Sequence, residues 1–410
     1  MIPKNLQYYK FCAYGFLKNL RFFDPFIILF FRETGLSYLQ IGVLFSVREI
    51  SNALLEIPTG VIADWFGRKN AMIFSFICYI FSFIIFYLFP DYILFLIAMI
   101  FFSGGEAFRS GTHKAMILDY LKLNNLSNIK TAYYGHTRSW SQKGSAISSL
   151  LAALLVFYTG KYRIIFLAST IPYVLELILM ISYPNELNGS LQDSGLKKPR
   201  SVSFNSILKI FNNSQFRKGI LNSAIFDGLF KSIKDYLQPI LYSLALSIPI
   251  FVSFSNNRRS ALIIGIIYFL IYLMTSAASK YSFKTTGKSQ NLKKVINVSF
   301  IGGVLVVIAS GIFYENEMFV LSSLLFIIIF IIQNIRRPLN VSYISDTISG
   351  ELMATGLSIE TQMKNVSIAI LSPILGLLAD IFGVGYAISI TALVILLVYP
   401  LLKVKKVLSQ

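Results

Sequence analysis

Apolar stretches of bilayer-crossing length recur along this 410-residue chain, and that repetition limits its possible folds more than any other feature. A helix of about 20 mostly apolar residues crosses the hydrocarbon layer. Twelve spans are expected, over residues 9–31, 39–63, 71–89, 92–118, 134–158, 162–183, 218–244, 261–280, 295–314, 318–343, 353–379 and 384–402. Residues 245–260, broken by Pro249 and running into Asn256-Asn257-Arg258-Arg259, read as a loop. Hydrophobic residues make up 55% of the chain and charged ones 14%, against roughly 25% charged in soluble proteins. No water-soluble fold hides that much apolar surface, so the expected class is an all-α membrane protein. Lys10, Lys18 and Arg21 interrupt the first apolar run and no small-residue cleavage site follows, so it reads as a membrane helix rather than a removed signal peptide.

A net charge of +18 would suit a nucleic-acid binder, but its placement points to the membrane. Lys197, Lys198, Arg200, Lys209, Arg217 and Lys218 gather in one central polar stretch. Lys280, Lys284, Lys288, Lys293, Lys294, Lys403, Lys405 and Lys406 fall in other gaps or the tail. Basic residues beside membrane spans stay cytoplasmic. With an even number of spans, both termini are expected in the cytoplasm of a multi-pass cell-membrane protein, with Arg68, Lys69, Lys122 and Lys130 also inside. Cys12 and Cys78 lie in apolar runs, which offers no disulfide framework or cysteine metal site. No nucleotide-binding loop or catalytic constellation is evident. Neither an enzyme nor a cofactor, metal or nucleic-acid partner is therefore expected.

Six spans, a basic linker over 184–215 and six more spans divide the chain into halves 1–183 and 216–410, which repeat features in the same order. Lys18, Arg21 and Pro25 in span one correspond to Lys231, Lys234 and Pro239 in span seven. Arg109 stands ten residues before Asp119 in span four, as Arg336 does before Asp346 in span ten. Ser141-Gln142-Lys143 and Thr361-Gln362-Met363-Lys364 give spans five and eleven similar polar entries. Together these favour a duplicated six-helix unit, an architecture found among transporters.

Charges inside a bilayer are costly and normally face a bundle interior or a wet cavity. Span one carries Lys18, Arg21 and Asp24; span two Arg48, Glu49 and Glu56; span four Glu106, Arg109 and Lys114; span five Arg138 and Lys143. Span seven carries Asp227, Lys231, Lys234 and Asp235, span ten Arg336 and Arg337, and span eleven Glu360 and Lys364. Spans three, eight, nine and twelve have none centrally and span six only Glu176. The first and fourth helices of each half are therefore expected around a central cavity, with the third and sixth against lipid. Arg21 with Asp24, Glu106 with Arg109, Asp227 with Lys231 and Glu360 with Lys364 have the spacing of pairs within one helix. Lys18, Lys143, Lys234, Arg336 and Arg337 have no evident acidic partner on their own helix, and surplus cations attract anions. A substrate bearing a carboxylate, phosphate or similar group follows. Asp24, Glu49, Glu106, Asp227 and Glu360 are the candidate proton carriers. Pro25, Pro239 and Pro338 weaken helices beside the buried cations, and Phe22, Phe23, Phe26, Tyr236 and Trp140 are candidates to line the apolar part of a site. His113 and His136 read as hydrogen-bonded side chains rather than metal ligands.

Between spans two and three lies Gly60-Val61-Ile62-Ala63-Asp64-Trp65-Phe66-Gly67-Arg68-Lys69. Glycine permits close helix approach and a tight turn. Asp64 sets a carboxylate at the membrane edge, and Arg68 and Lys69 anchor the loop inside. The pattern of Gly60, Asp64, Gly67, Arg68 and Lys69 resembles the loop signature of the major facilitator superfamily, in the one loop where that family carries it. Length, topology and duplication are similar throughout the chain. Leu55-Glu56-Ile57-Pro58-Thr59 resembles bacterial members grouped with drug-efflux carriers.

The resemblance implies two pseudo-symmetric six-helix bundles that alternate access to a central site, with Asp64 engaging the facing half in the outward-open state and Arg68 supporting it. The second-half loop 280–294 keeps Gly287-Lys288 but has no aspartate. Gly376-Leu377-Leu378-Ala379-Asp380-Ile381-Phe382-Gly383 copies the first eight positions, yet it falls at the outer end of span eleven without the basic pair and is expected to have no gating role. The expected function is a monomeric secondary transporter of a small organic solute, anionic or amphipathic and drug-like, for uptake or efflux. Without an ATPase domain, protons are the expected driving ion. The alternative is a non-transporting membrane sensor or partner subunit on the same fold.

Overall fold

A computed structural model describes residues 3–189, 213–286, 292–348 and 353–404, and every regular element among them is helical. The basic linker residues Lys197, Lys198, Arg200 and Lys209, the loop residues Gly287 and Lys288, and Lys405 and Lys406 lie outside the described residues.

The first pass is α1 (Leu6–Leu17) and α2 (Ile27–Glu33), followed by α3 (Tyr38–Phe66) and α4 (Arg68–Leu88). The fourth pass is α5 (Tyr92–Arg109) and α6 (Thr112–Leu123), followed by α7 (Lys130–Thr159) and α8 (Ile164–Ile181). After the linker come α9 (Ser214–Ile233) and α10 (Leu237–Ser247), which make one pass, then α11 (Asn256–Thr286) and α12 (Leu292–Glu315). The last passes are α13 (Phe319–Ser345), α14 (Met353–Phe382) and α15 (Val384–Leu402). Eight passes are long and apolar enough to cross a bilayer outright, with mean hydropathies of 1.5 to 2.3. Those that fall short are the first, second, fifth and seventh, which carry many of the charged residues. Such helices pay for their charges only when those face protein or water.

Three passes expected as continuous helices are broken. Residues 18–26 between α1 and α2 form turns, where Pro25 brings no N–H to a helix ladder. Between α5 and α6 the chain turns through Gly111 at φ +74, in the left-handed region. Between α9 and α10 a 3-10 turn spans Lys234–Tyr236, just ahead of Pro239. A hydropathy window averages across such breaks, so it cannot register them. Pro338, by contrast, sits inside the unbroken α13. The expected loop 245–260 shrinks, because α10 runs to Ser247 and α11 begins at Asn256.

The chain forms two compact units. Unit 1 comprises Met1–Gly35, Val47–Lys197 and Ile248–Tyr272; unit 2 comprises Leu36–Ser46, Lys198–Ser247 and Leu273–Gln410. Each unit thus contains the opening turns of a helix, α3 or α11, whose remainder belongs to the other unit. Unit 1 packs α4 against α5 and α8, and α1 against α7. Its interior is an aromatic cluster in which Phe23 stacks on Phe166 at 5.7 Å and Phe86 on Phe166 at 4.8 Å. Unit 2 packs α12 against α13 and α15, and α9 against α14. There Gly311 and Gly385 face each other so closely that a Cβ on either would collide with the other's carbonyl. Gly311→Ala is expected to cost about 1–3 kcal/mol by pushing α12 off α15, read as a lowered melting temperature of the detergent-solubilised protein.

Candidate functional site

In unit 1 the breaks in the first and fourth passes bring three charges together. Arg21, in the turn after α1, and Arg109, on the last turn of α5, both hold the Glu106 carboxylate, one on each oxygen. The side chains of Arg21, Glu106 and Arg109 remain 21%, 23% and 17% exposed. Arg109 Nε also donates to the Tyr79 hydroxyl at 3.2 Å, and Arg21 lies 5.8 Å over the Phe102 ring. Two cations on one anion leave a formal surplus of +1. Charge-assisted hydrogen bonds of this kind are the strong ones, and a guanidinium fork retains donors for a second carboxylate or phosphate.

Lys18 lies 5.8 Å over the Tyr14 ring, on which His113 stacks at 3.4 Å. The Tyr173 hydroxyl donates to the Lys18 carbonyl at 3.2 Å, which serves a backbone acceptor released where α1 ends. Glu176, fully buried on α8, has no hydrogen-bond partner on either oxygen among the described residues. His113 shares a hydrogen bond of 3.2 Å with the Tyr183 hydroxyl, and His136 one of 3.2 Å with Tyr8.

In unit 2 the surplus has the opposite sign. Lys364 Nζ lies 2.8 Å from Asp227 Oδ2 on α9 and 2.9 Å from Glu360 Oε1 on its own helix. Gln333 donates to Asp227 at 2.5 Å and Ser223 to Glu360 at 2.5 Å. Two carboxylates on one ammonium carry a formal −1.

The remaining expected site residues are distributed differently from the sequence reading. Arg336 is fully buried rather than set on a cavity wall. Its guanidinium donates to the Ile296 carbonyl at 2.5 Å, to Ser299 Oγ at 2.7 Å and to Asn222 Oδ1 at 2.8 Å, and stacks 4.2 Å over Phe226. It ties α9, α12 and α13 together. Arg337, one residue on, is exposed. Lys234 is paired after all, with its neighbour Asp235 at 2.7 Å. Arg48 pairs with Glu49 at 3.0 Å. Lys143 is exposed and lies 4.4 Å over Trp140. Arg21 reaches Glu106 and Asp227 reaches Lys364, both across helices. Asp24 and Lys231 contribute further polar or electrostatic contacts. Phe22, Phe23, Phe26 and Tyr236 are buried in helix packing.

The loop between α3 and α4 is held by backbone. Gly67 takes φ +94, and a Cβ there would collide with the Asn188 side chain. Arg68 N–H donates to the Asn188 carbonyl at 2.6 Å, and its guanidinium bonds Asp119. Lys69 Nζ donates to the Tyr183 carbonyl at 2.7 Å and to Asn185 at 3.0 Å. Among the described residues, Asp64 makes no hydrogen bond or ion pair. Gly67→Ala combines strained backbone with the collision, for an expected loss of about 2–3 kcal/mol. The check is the melting temperature beside Gly60→Ala, where the added Cβ meets open space and little change is expected.

Long apolar helices broken where charges lie, together with this loop, are the fold of a membrane transporter. The family model of the Major Facilitator Superfamily matches residues 11–368, and the chain belongs to that family. It is 23% identical over 228 residues to the uncharacterised MFS-type transporter YxaM of Bacillus subtilis (strain 168). That alignment covers 55% of this chain and 56% of YxaM, so the chain spans about half the length of the curated relative it matches. Among solved structures, a point mutant of the nucleoside transporter NupG is 13% identical with a TM-score of 0.79, covering 97% of this chain and 100% of that one. The D-xylose-proton symporter is 14% identical with a TM-score of 0.68, covering 98% of each chain. These likenesses establish the fold.

Proposed function

We propose that the protein is a secondary active carrier that moves a small organic anion across the cell membrane by alternating access, coupled to protons, with both termini in the cytoplasm. The observation that carries this reading is the Arg21–Glu106–Arg109 cluster. Its three charges sum to +1, its side chains are part-exposed and it stands where two passes break. Interrupted membrane helices are where carriers bind solutes, because freed backbone and unneutralised charge are tolerated only against protein or water. The solute's anionic group binds Arg21 and Arg109. Leu55 to Thr59 supports efflux as the direction to test first.

Asp227 and Glu360 supply the proton site. Both share Lys364, so protonating one leaves a neutral ammonium–carboxylate pair, and the cluster switches between −1 and 0. A structural neighbour, the D-xylose-proton symporter, is named for proton coupling, which supports this reading.

A panel of organic anions and matched neutral analogues, screened for thermal stabilisation of the purified protein, identifies the solute class. Anions are expected to stabilise and neutral analogues not. With a hit in hand, Glu360→Gln is expected to keep solute exchange at equal pH and lose accumulation driven by an imposed pH gradient. A variant that still accumulates solute at the wild-type level refutes Glu360 as a coupling residue.

A further inference from the structure

The outlying copy of the loop motif, Gly376 to Gly383, is engaged in the structure, whereas Asp64 of the motif proper makes no hydrogen bond or ion pair among the described residues. The two strings build the same turn. Gly67 (φ +94, ψ 145) and Gly383 (φ +90, ψ 162) each stand as the residue before a helix, α4 and α15. The aspartate three residues ahead is therefore placed alike at the end of α3 and of α14. Asp380 uses that position. Its Oδ1 accepts from Tyr38 N–H at 2.9 Å and its Oδ2 from Leu39 N–H at 2.8 Å.

The opening turn of α3 explains why those two donors find no partner within their own helix. The first N–H groups of a helix have no partner within it. Ser37 and Gln40 form a reciprocal cap, Ser37 N–H donating to Gln40 Oε1 at 2.9 Å and Gln40 N–H to Ser37 Oγ at 3.2 Å. Ile41 N–H donates to the Ser37 carbonyl at 3.1 Å. Only Tyr38 and Leu39 are left for a partner from outside, and one carboxylate takes both. The charge also meets the positive end of the helix dipole.

Two further contacts lie along the same face. Pro373 within α14 supplies no N–H to the carbonyl four residues back, that of Ala369, and Ser46 Oγ of α3 donates to it at 2.7 Å. Gly42 and Gly376 allow backbone approach, because a Cβ at Gly42 would collide with the Ser372 carbonyl and one at Gly376 with the Tyr38 carbonyl. Thus Leu36–Ser46 belongs to unit 2 although α3 continues unbroken into unit 1 from Val47. Moving the Leu36–Ser46 segment within unit 2 means parting α3 from α14. The carboxylate is suited to parting, since Asp380 is exposed and water can take over its hydrogen bonds.

We propose that Asp380 is a conformational latch, fastening the first turn of α3 to α14 and releasing the Leu36–Ser46 segment when the carrier changes state. The proposal rests on the carrier reading for its purpose.

The test is thiol accessibility in nanodiscs, with a single reporter cysteine at Ile41→Cys, a buried position of the Leu36–Ser46 segment, in a Cys12→Ala/Cys78→Ala background and a water-soluble maleimide as probe. Asp380→Asn keeps the shape but loses the charge and one acceptor. It is expected to raise the labelling rate about tenfold, the equivalent of one charge-assisted contact, while Asp380→Glu stays near wild type. Labelling of native Cys78, buried in α4, must stay slow in a parallel Asp380→Asn protein. If it does not, that variant has unfolded, and Ser46→Ala decides instead: a faster Ile41→Cys reaction supports the latch and an unchanged one overturns it. An unchanged rate in folded Asp380→Asn overturns it directly. Because the readout needs no solute, that failure leaves the carrier reading intact, whereas absence of flux in the wild type removes the carrier reading whatever the labelling shows.

Discussion

Arg109→Gln is expected to lower solute flux by about a hundredfold, with Arg21→Gln close behind, once the thermal screen has supplied a solute. The reason is that both guanidinium groups serve one carboxylate, so losing either converts the cluster from +1 to neutral and removes half of its donors to an anion. A hydrogen bond to a charged group contributes roughly 1.5–3 kcal/mol, and 1.4 kcal/mol is a factor of ten. Arg109→Lys is expected to recover the charge but only part of the flux, because an ammonium cannot hold Glu106, Tyr79 and a substrate oxygen in fixed directions. Flux in proteoliposomes measures this, with the melting temperature beside it. Wild-type flux in both glutamine variants removes the cluster from the transport cycle.

Arg336→Leu is expected to destabilise the protein by about 3 kcal/mol without acting on the solute. The substitution strips the Asn222 and Ser299 oxygens and the Ile296 carbonyl of a shared donor inside packed helices and forfeits the stacking on Phe226. Each stranded buried polar group costs roughly 1–3 kcal/mol, and the Leu side chain regains part of it as apolar contact. A lower melting temperature with an unchanged apparent affinity for the solute is the expected pattern. Lysine is expected to rescue poorly, since its one nitrogen cannot span acceptors that two separate guanidinium nitrogens reach on α12 and α9. If the melting temperature holds and affinity falls instead, Arg336 belongs to the solute site.

The contrast between these two arginines marks the limit of what the chain's pattern displays. Spans, their charges and pairs at i+3 or i+4 are local properties, and the Glu106–Arg109 and Glu360–Lys364 pairs stand in the structure as spacing suggests. Arg109 and Arg336 occupy matching places in the repeat, yet one meets a carboxylate and the other neutral oxygens, because the difference is made by residues far away in sequence. Asn222 lies 114 residues from Arg336, and Glu106 lies 85 from Arg21. No periodicity reports such distances. The breaks had fainter signals: Ser110-Gly111 is a turn dipeptide, and Gly111 does take positive φ. Pro25 and Pro239 marked the other two, but a membrane helix often continues through proline, as α13 does at Pro338. Asp380 is legible as a motif copy, but its partners are backbone N–H groups of α3, which leave no trace in side-chain identity.

The most direct test of the account is accumulation of the solute identified by thermal stabilisation in proteoliposomes under an imposed pH gradient. The account expects uptake of an organic anion above its equilibrium level, abolished by a protonophore and by Arg109→Gln. Anion distribution equal to that of protein-free liposomes, or accumulation indifferent to the pH gradient, would contradict it.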